Sequence, residues 1–335
     1  MPSTFTAETG YVGLAVQTAF GTFREPTDYM KVLSIEMNPE GEKIIPDVEI
    51  GAGMDVTEVH QGTYRISGDL ESYIRPEAFG VLMYGLLGRY TSSGEINAGQ
   101  GNYLHNFLPI TSGSLPWISV KKVISDNVQT YNYRDCKVGS FSLELKAGEF
   151  ANAKFGIVGI ADAAGTAGTP SFETAPLLVA TKATINMGPA SISAKNLTLD
   201  VNNSLVDDDF RIGSRFLGDI SEGRRSLEVN LDVVLDTTSE LYKKAFYGAS
   251  NLSAAGFDVY ADSLDIVMDS PTLIGSSAMT YKVLFQIKRA VFVSAPVPAK
   301  GDDLVVVPLT LKPVKYLTNN ILEVHIWNNK SAYSF

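Results

Sequence analysis

Apolar and polar side chains alternate along much of this chain. The segments Lys31–Met37, Tyr64–Leu70 and Ser140–Lys146 place apolar residues at every second position. This two-residue period is typical of a β-strand with one buried face. Because glycines and prolines recur between such runs as turn residues, the pattern predicts an all-β protein.

Two segments have the character of an α-helix. The first follows Arg75, with Pro76 suited to the first helical position and apolar residues on one face. The second begins near Thr237, because Thr237–Glu240 has the pattern of a capping box ahead of an apolar face. A glycine ends each predicted helix, Gly88 in the first and Gly248 in the second.

The strand and helix just described occur twice, in the same order. The run Gly62–Glu71 aligns with Gly223–Asp232 at an offset of 161 residues, and the two helix-ending glycines align at an offset of 160. Further matches lie upstream at an offset of 164 and downstream in a later strand. They are Leu33, Ile35 and Met37 with Leu197, Leu199 and Val201, and Gly139–Leu145 with Ala290–Pro296. Repeated order of this kind predicts an internal duplication.

The duplication gives a domain organisation. We expect a first β-sandwich or barrel domain over residues 1–160 and a second over 177–335, each with one flanking α-helix. The stretch 161–176 between them begins with small residues that have no packing pattern, so it is predicted to be a linker. In each copy two antiparallel sheets would pack together, with the helix covering an edge or face.

Each copy also contains a long segment between its first two matched strands, Asn38–Gln61 and Asn202–Glu222. Loops of this length in compact domains are usually functional or disordered. Both are rich in acids and also carry apolar residues, so they are predicted to dock on another surface. Their notable residues are Glu40, Glu42, Ile44, Ile45, Asp47 and Glu49 in the first, and Asp207, Asp208, Asp209, Phe210 and Phe216 in the second.

Charge and composition exclude several classes of protein. The net charge is −10, from 37 acids against 27 Lys and Arg, which argues against tight binding of nucleic acid. No apolar run is long enough to span a membrane. The first ten residues lack the order of a signal peptide, so synthesis in a cytoplasm is expected. The single cysteine, Cys136, lies among strand-like residues and is interpreted as a small buried apolar group.

The residues that catalysis or metal binding would require do not form a recognisable pattern. The three histidines, His60, His105 and His325, stand outside any metal-ligand spacing. Asp207–Asp209 does not reproduce the alternating ligands of a calcium loop and is interpreted as a solvated acidic run. We therefore expect no catalytic, cofactor or metal site, and no enzymatic activity.

Three segments of the first half resemble the tail tube (major tail) proteins of long-tailed bacteriophages. Gly10–Pro26 is similar to the opening strand and turn of that family, and Val59–Glu71 with the helix ending at Gly88 is similar to its strand-then-helix block. Tyr133–Glu144 resembles a later strand of the family. The second half departs from the pattern at Arg224–Arg225 and at Ala295–Pro298.

The resemblance implies a structural virion protein. Relatives with one such domain form hexameric rings whose inner strands join into one barrel around a lumen, so a chain with two domains would form a trimeric, pseudo-hexameric ring. Rings would stack head to tail into a tube around a tape-measure protein, with tail-tip and tail-terminator proteins at the ends. Double-stranded DNA would pass through the tube during ejection without tight binding. The long segments would reach the next ring.

Strand parity predicts which residues would line such a tube. On the strand 63–72 and on 226–233, one set of alternating residues is apolar and the other is polar and net acidic. A lining of this kind would repel DNA from the wall. The predicted lumen-facing residues are Arg65, Ser67, Asp69, Glu71, Glu228, Asn230 and Asp232.

Two other functions fit an all-β virion protein. One is a receptor- or carbohydrate-binding β-sandwich module of a tail tip or fibre, which predicts clustered exposed aromatic residues. The other is a capsid cementing protein. Both remain open at the level of the sequence.

Overall fold

A computed structural model describes residues 9–47, 55–56, 58–125, 129–235, 240–249, 253–298 and 304–335. Strands account for most of the regular structure within these ranges, as the alternation predicts. The strands of the first half are β1 (Tyr11–Val16), β2 (Asp28–Met30), β3 (Ser34–Ile35), β4 (Asn38–Ile44), β5 (His60–Tyr73), β6 (Gly88–Glu95), β7 (Tyr103–Pro109), β8 (Ile118–Ile124), β9 (Gln129–Lys146) and β10 (Asn152–Ala164). Those of the second half are β11 (Ala183–Met187), β12 (Ala190–Ile192), β13 (Ala194–Asn202), β14 (Leu205–Val206), β15 (Ser221–Glu222), β16 (Ser226–Val234), β17 (Ala261–Leu273), β18 (Thr280–Ser294), β19 (Val306–Pro313) and β20 (Glu323–Asn328). The all-β prediction is confirmed.

Strands pair in the same order in both halves of the chain. In the first half the antiparallel order is β4–β5–β10–β9–β8–β1–β2, with β3 also on β5. In the second half it is β13–β16–β19–β18–β17–β11–β12. This correspondence supports the predicted duplication, and the boundaries 1–160, 161–176 and 177–335 stay a prediction.

Two strand pairs join the halves: β20 pairs with β7 over five residue pairs, and β9 pairs with β13. The second part of β9 pairs with β13 over seven residue pairs, from Asn196 opposite Lys146 to Asn202 opposite Ser140. The first part of β9 pairs with β8. A register shift opposite Gly156–Ile157 separates the two parts, and such a bulge bends and twists a strand. One sheet therefore continues across the predicted domain boundary.

The first α-helix, α1 (Phe79–Leu87), lies inside the molecule. All of its residues except Tyr84 are buried, which is typical of a helix that is apolar on every side. It begins at Phe79, after a turn at residues 76–78, so the prediction that Pro76 starts the helix is wrong. The backbone N–H groups of Glu77 and Ala78 donate to the Glu173 carboxylate at 3.0 and 2.9 Å, which fixes the turn. The helix ends at Gly88 in the left-handed conformation, as predicted.

The second helix, α2 (Leu241–Phe246), is short, and only Leu241 in it is buried. Of its predicted capping box, Thr237–Ser239 lie outside the described residues. Gly248 follows the helix with a φ of 80°. The helix packs against β18.

The hydrophobic core runs through both halves. The apolar residues of β16, Leu227, Val229, Leu231 and Val233, are all buried, as strand parity predicts. The Phe79 ring of α1 lies 5.8 to 6.3 Å, centre to centre, from the rings of Phe141, Phe155 and Phe285. These edge-on contacts tie β9 and β10 of the first half to β18 of the second.

Two segments predicted as loop or linker contain strand. Asn38–Ile44, the start of the first long segment, is β4, paired with β5 and exposed along its whole length. Residues 161–164, the start of the predicted linker, continue β10 opposite Arg134–Tyr131. Ala161 is buried beside Leu217 and Ile220, so its small side chain fits a packed site.

Candidate functional surface

A polar surface covers the side of the sheet that faces away from the core across β5, β10, β9, β13, β16 and β19. We refer to it as the polar face. Register links its strands directly, because Glu71 lies opposite Lys154, Lys154 opposite Ser142, Ser142 opposite Asp200, and Asp200 opposite Glu228. Residues in register on neighbouring strands point to the same side of a sheet. One row of polar side chains therefore crosses five strands.

All seven residues predicted to face a lumen lie on the polar face. Alternate positions of β5 and β16 point into the core, which leaves the predicted set on the opposite side. The set is Arg65, Ser67, Asp69 and Glu71 on β5 and Glu228, Asn230 and Asp232 on β16. The alternation of apolar and polar residues along β5 and β16 was enough to predict these residues. It could not show that β10, β9 and β13 lie between β5 and β16 in one sheet.

Cations on the first-half part of the polar face are paired with carboxylates. Arg65 contacts Glu40 and Asp207, each at 2.8 Å, and Lys154 contacts Asp69 at 2.8 Å. Hydrogen bonds from Ser67 and Arg65 hold the pKa of the Glu40 carboxyl below its ordinary value. Such partly exposed pairs stabilise the fold by less than about 1 kcal/mol each. They do neutralise these cations.

Carboxylates on the second-half part of the polar face are held by amides. Asn196 donates to Asp232 at 2.8 Å and Asn230 donates to Glu228 at 3.0 Å. Thr310 of β19 donates to the Asn230 side-chain oxygen at 2.9 Å. Because amides carry no charge, these hydrogen bonds leave the carboxylates negative. This part of the polar face therefore presents ordered anionic groups.

The second long segment folds back onto the first half of its own chain. Phe216 packs edge-on against Tyr64 of β5 at 5.3 Å, and the Tyr64 N–H donates to the Arg215 carbonyl at 2.7 Å. Phe210 packs against the buried pair Leu217 and Ile220, while Asp207 binds Arg65. These contacts account for the apolar residues that predicted docking. Asp208 and Asp209 are more peripheral, and Asp209 pairs with Arg211.

The described part of the first long segment, residues 38–47, 55–56 and 58–61, has few contacts beyond β5. Glu40, Glu42 and Ile44 lie on β4, and Ile45 and Asp47 follow it, all exposed. Glu49 lies outside the described residues. The two predicted segments thus differ: one is packed at its base, and the other is an exposed ribbon.

A buried lysine that strand parity did not single out anchors the second segment. Lys137 on β9 is 1% exposed and donates to Glu222 Oε1 at 2.8 Å, Ile220 O at 2.6 Å and Ser114 Oγ at 2.7 Å. Its ammonium group also lies 4.2 Å from the centre of the Trp117 ring. Burial acts to raise the pKa of the Glu222 carboxyl, but hydrogen bonds from Lys137, Leu115 and Ser114 outweigh it and lower that pKa.

Titratable groups elsewhere have structural surroundings. Burial raises the pKa of the Cys136 thiol, which keeps it protonated and unreactive. Burial lowers the pKa of His105, whose ring bonds Tyr90, Asn328 and the Lys330 carbonyl. In the described part of the chain, no group of His, Cys, Asp and Glu side chains could hold a metal ion.

Among the residues that the structure describes, no helix has the length and hydropathy needed to cross a bilayer.

The main feature of the described residues is a continuous antiparallel sheet with a polar, anionic face. Such a surface is more typical of a structural β-protein than of a protein with a binding pocket or a catalytic cleft. The sequence matches the family of phage tail tube proteins over residues 8–313, and the chain belongs to that family. No curated protein matches the chain. The resemblance carried by the first half is thereby confirmed and extends through most of the second.

Membership of this family settles the coarse function. The chain is a structural component of a phage tail, and such proteins assemble into a tube with other tail components. This favours the tube over the receptor-binding and cementing alternatives. It also agrees with the expectation that the chain is not an enzyme.

Proposed function

We propose that three copies of the chain close into a ring of six similar domains, and that stacked rings form the tail tube around a tape-measure protein. Tail-tip and tail-terminator proteins would meet its two ends. Assembly would follow synthesis in the host cytoplasm. The observation that carries the proposal is the β9–β13 pair, which joins the two halves of one chain side by side.

The same joint is incomplete at both ends of the chain. At the first end, the counterpart of β13 is the segment containing β3 and the start of β4, whose described strand partner is β5 alone. At the second end, the counterpart of β9 is β18, whose Ser294 pairs with β19 alone among the described strands. Each chain thus has two different free edges, one at β3 and β4 and one at the end of β18. Pairing of one edge with the other edge of the next chain would be a heterologous contact, and such contacts form a closed ring when the rotation between neighbouring chains allows it.

Burial of matched residues supports this assignment. Leu197 of β13 lies opposite Leu231, and its counterpart by strand register is Ile35, which lies opposite Leu70. Leu197 is 1% exposed because the joint with β9 helps to cover it, whereas Ile35 is only half-buried and Leu33 beside it is 49% exposed. Val293, at the other free edge, is also exposed. Unpaired strand edges with exposed apolar side chains are sites of strand addition. A second chain would bury both.

In such a ring the polar face would be the wall of the lumen. Its unpaired carboxylates would repel the DNA backbone, so the DNA would slide through with little binding. The long segments would contact the next ring. Ile212, at the tip of the second segment, is fully exposed and so is available for that contact.

Electron microscopy of the purified full-length chain, alone or seeded with tail tips, tests the proposal. End-on views should show rings with three-fold or pseudo-six-fold symmetry, and side views should show stacked rings. A chain that stays monomeric under all conditions, or forms rings with five or seven units, would contradict it.

A further inference from the structure

Exposed aromatic side chains gather around α2. Tyr242 and Phe246 are 44% and 42% exposed, and their rings lie 4.8 Å apart, centre to centre. Phe257 and Val259 are also exposed, and the Gly256 N–H donates to the Tyr247 carbonyl at 3.1 Å, which holds that segment beside the helix. Grouped exposed aromatics mark interaction surfaces. We refer to these four side chains as the α2 patch.

The first half shows what covers such a helix. At the offset of 160 residues, Tyr242 and Phe246 correspond to Leu82 and Leu86 of α1, which are completely buried. The second half of the chain contributes to that burial. Phe285 of β18 contacts Phe79 of α1, and Asn203, just after β13, donates its side-chain N–H to the Leu86 carbonyl at 3.0 Å. The helix of one domain is therefore covered by the next domain.

We propose that the α2 patch is covered by the segment Ser34–Ile44 of the next chain in the ring. This inference rests on the proposed ring. Gly41 occupies the position in that segment that corresponds to Asn203. Glu40 lies opposite Arg65 on β5 as Asn202 lies opposite Ser226 on β16, and Arg65 aligns with Ser226. The contact would place Gly41 near Phe246, as Asn203 lies near Leu86.

Charge favours the same occupant. The helix carries Lys243 and Lys244, both in its last turn. The segment Ser34–Ile44 carries Glu36 and Glu42, both exposed. Apolar side chains on either side would meet in the centre of the contact, with these charges at its rim, which is the usual anatomy of a protein interface.

The free edge of β18 leads to the patch. α2 packs against β18, and Val293 and Val297 are exposed along and beyond the end of that strand. A neighbouring chain that added its edge strand to β18 would therefore arrive beside α2. Strand pairing and helix covering would form one continuous interface.

Cysteine cross-linking tests the contact directly. The only native cysteine, Cys136, is buried, and a Cβ added at Gly41 would meet no atom closer than 3.7 Å. The variant Gly41→Cys/Phe246→Cys should therefore form disulfides only between chains. Because the joint closes within a ring, the covalent product under oxidising conditions should stop at three chains. A ladder beyond three chains would place the contact between rings and overturn the proposal. The control Gly41→Cys/Phe20→Cys uses an exposed position in the first half and should give no trimer.

Removal of the patch tests its importance. Tyr242→Ser/Phe246→Ser should stay folded by circular dichroism and should lose at least tenfold in the yield of rings. A matched control, Phe20→Ser/Tyr316→Ser, changes two side chains of similar exposure and should assemble like the native chain. Full assembly of the α2 variant would overturn the docking of Ser34–Ile44 alone. Failure of the native chain to form rings would instead overturn the ring proposal and this inference with it.

Discussion

Single side chains decide how the second long segment is held, and Lys137 is the clearest case. Removing Glu222 by Glu222→Ala leaves a buried ammonium group without its anion, so we expect a loss of about 3 kcal/mol in the free energy of unfolding. Urea denaturation measures it. The double variant Lys137→Met/Glu222→Ala should recover part of the loss, because no unpaired charge remains. Equal losses in the single and double variants would contradict this account.

The carboxyl of Glu173 gives the fold a dependence on pH. Burial raises its pKa to about 7 in the folded chain, against about 4.5 for an exposed glutamate. Between these values the folded chain holds a proton that the unfolded chain has released, so stability should fall as the pH rises from about 4.5 to about 7. Thermal unfolding between pH 4.5 and 7.5 measures this trend.

Glu173→Gln should flatten that decline. The amide oxygen can still accept the N–H groups of Glu77 and Ala78, but it binds no proton. Burial also raises the pKa of Glu77, so a smaller decline should remain. The control Glu149→Gln, at an exposed position, should behave like the native chain. An unchanged slope in Glu173→Gln would show that this carboxyl is not the source.

At the scale of elements, Gly68 allows the backbone of β5 to lie close against Glu36 and Met37, the two residues before β4. Its φ is 151°, and an added Cβ would overlap the Glu36 carbonyl. Gly68→Ala should therefore cost about 3 kcal/mol, from backbone strain together with the steric overlap. Gly94→Ala is the control, because Gly94 also has a positive φ but open space around it, and it should cost about 1 kcal/mol. Chemical denaturation of both variants gives the comparison.

Elements with a buried face could be predicted from the sequence, and exposed ones could not. Alternation located β5 and β16 because half of their side chains enter the core. The sequence pattern did not predict β4 as a strand, because Asn38–Ile44 is exposed on both sides and contains Pro39, a residue type confined to edge strands. The start of α1 was also predicted wrongly, because the turn before it, at residues 76–78, is fixed by Glu173, which lies far away in the sequence.

The candidate surface was predictable only in part for a related reason. Parity assigned the polar residues of β5 and β16, but the strands that connect them pair over long sequence distances. Nothing local in Phe216 indicated that it packs on Tyr64 of its own chain. A lysine between apolar neighbours, as at Lys137, is the one signal that could have pointed to the buried ion pair.

For the whole molecule, the polar face predicts how a tube treats DNA. Reversing its charge by Glu71→Lys/Glu228→Lys/Asp232→Lys should leave assembly intact, because these side chains point away from the core. The assembled tubes should then retain double-stranded DNA in co-sedimentation, strongly at about 50 mM salt and much less at about 200 mM.

Matched charge changes off the polar face provide the control. Glu58→Lys/Glu149→Lys/Asp219→Lys alters three exposed carboxylates in turns and loops outside the α2 patch and adds the same net charge. Those tubes should retain less DNA, since the new cations would lie outside the proposed lumen. Equal retention by both variants would show that overall charge, and not the polar face, governs the interaction.

The β9–β13 pair also has a kinetic consequence. In a ring of three such chains, every second joint is formed during folding, at the high effective concentration of two groups on one polypeptide. Three chains come together in two encounters, and the last joint then closes within the trimer. The total entropic cost would be lower than that of the five encounters that six separate domains would need. Nucleation of a ring should then depend on about the third power of protein concentration, so a modest rise in expression late in infection would switch tube growth on sharply.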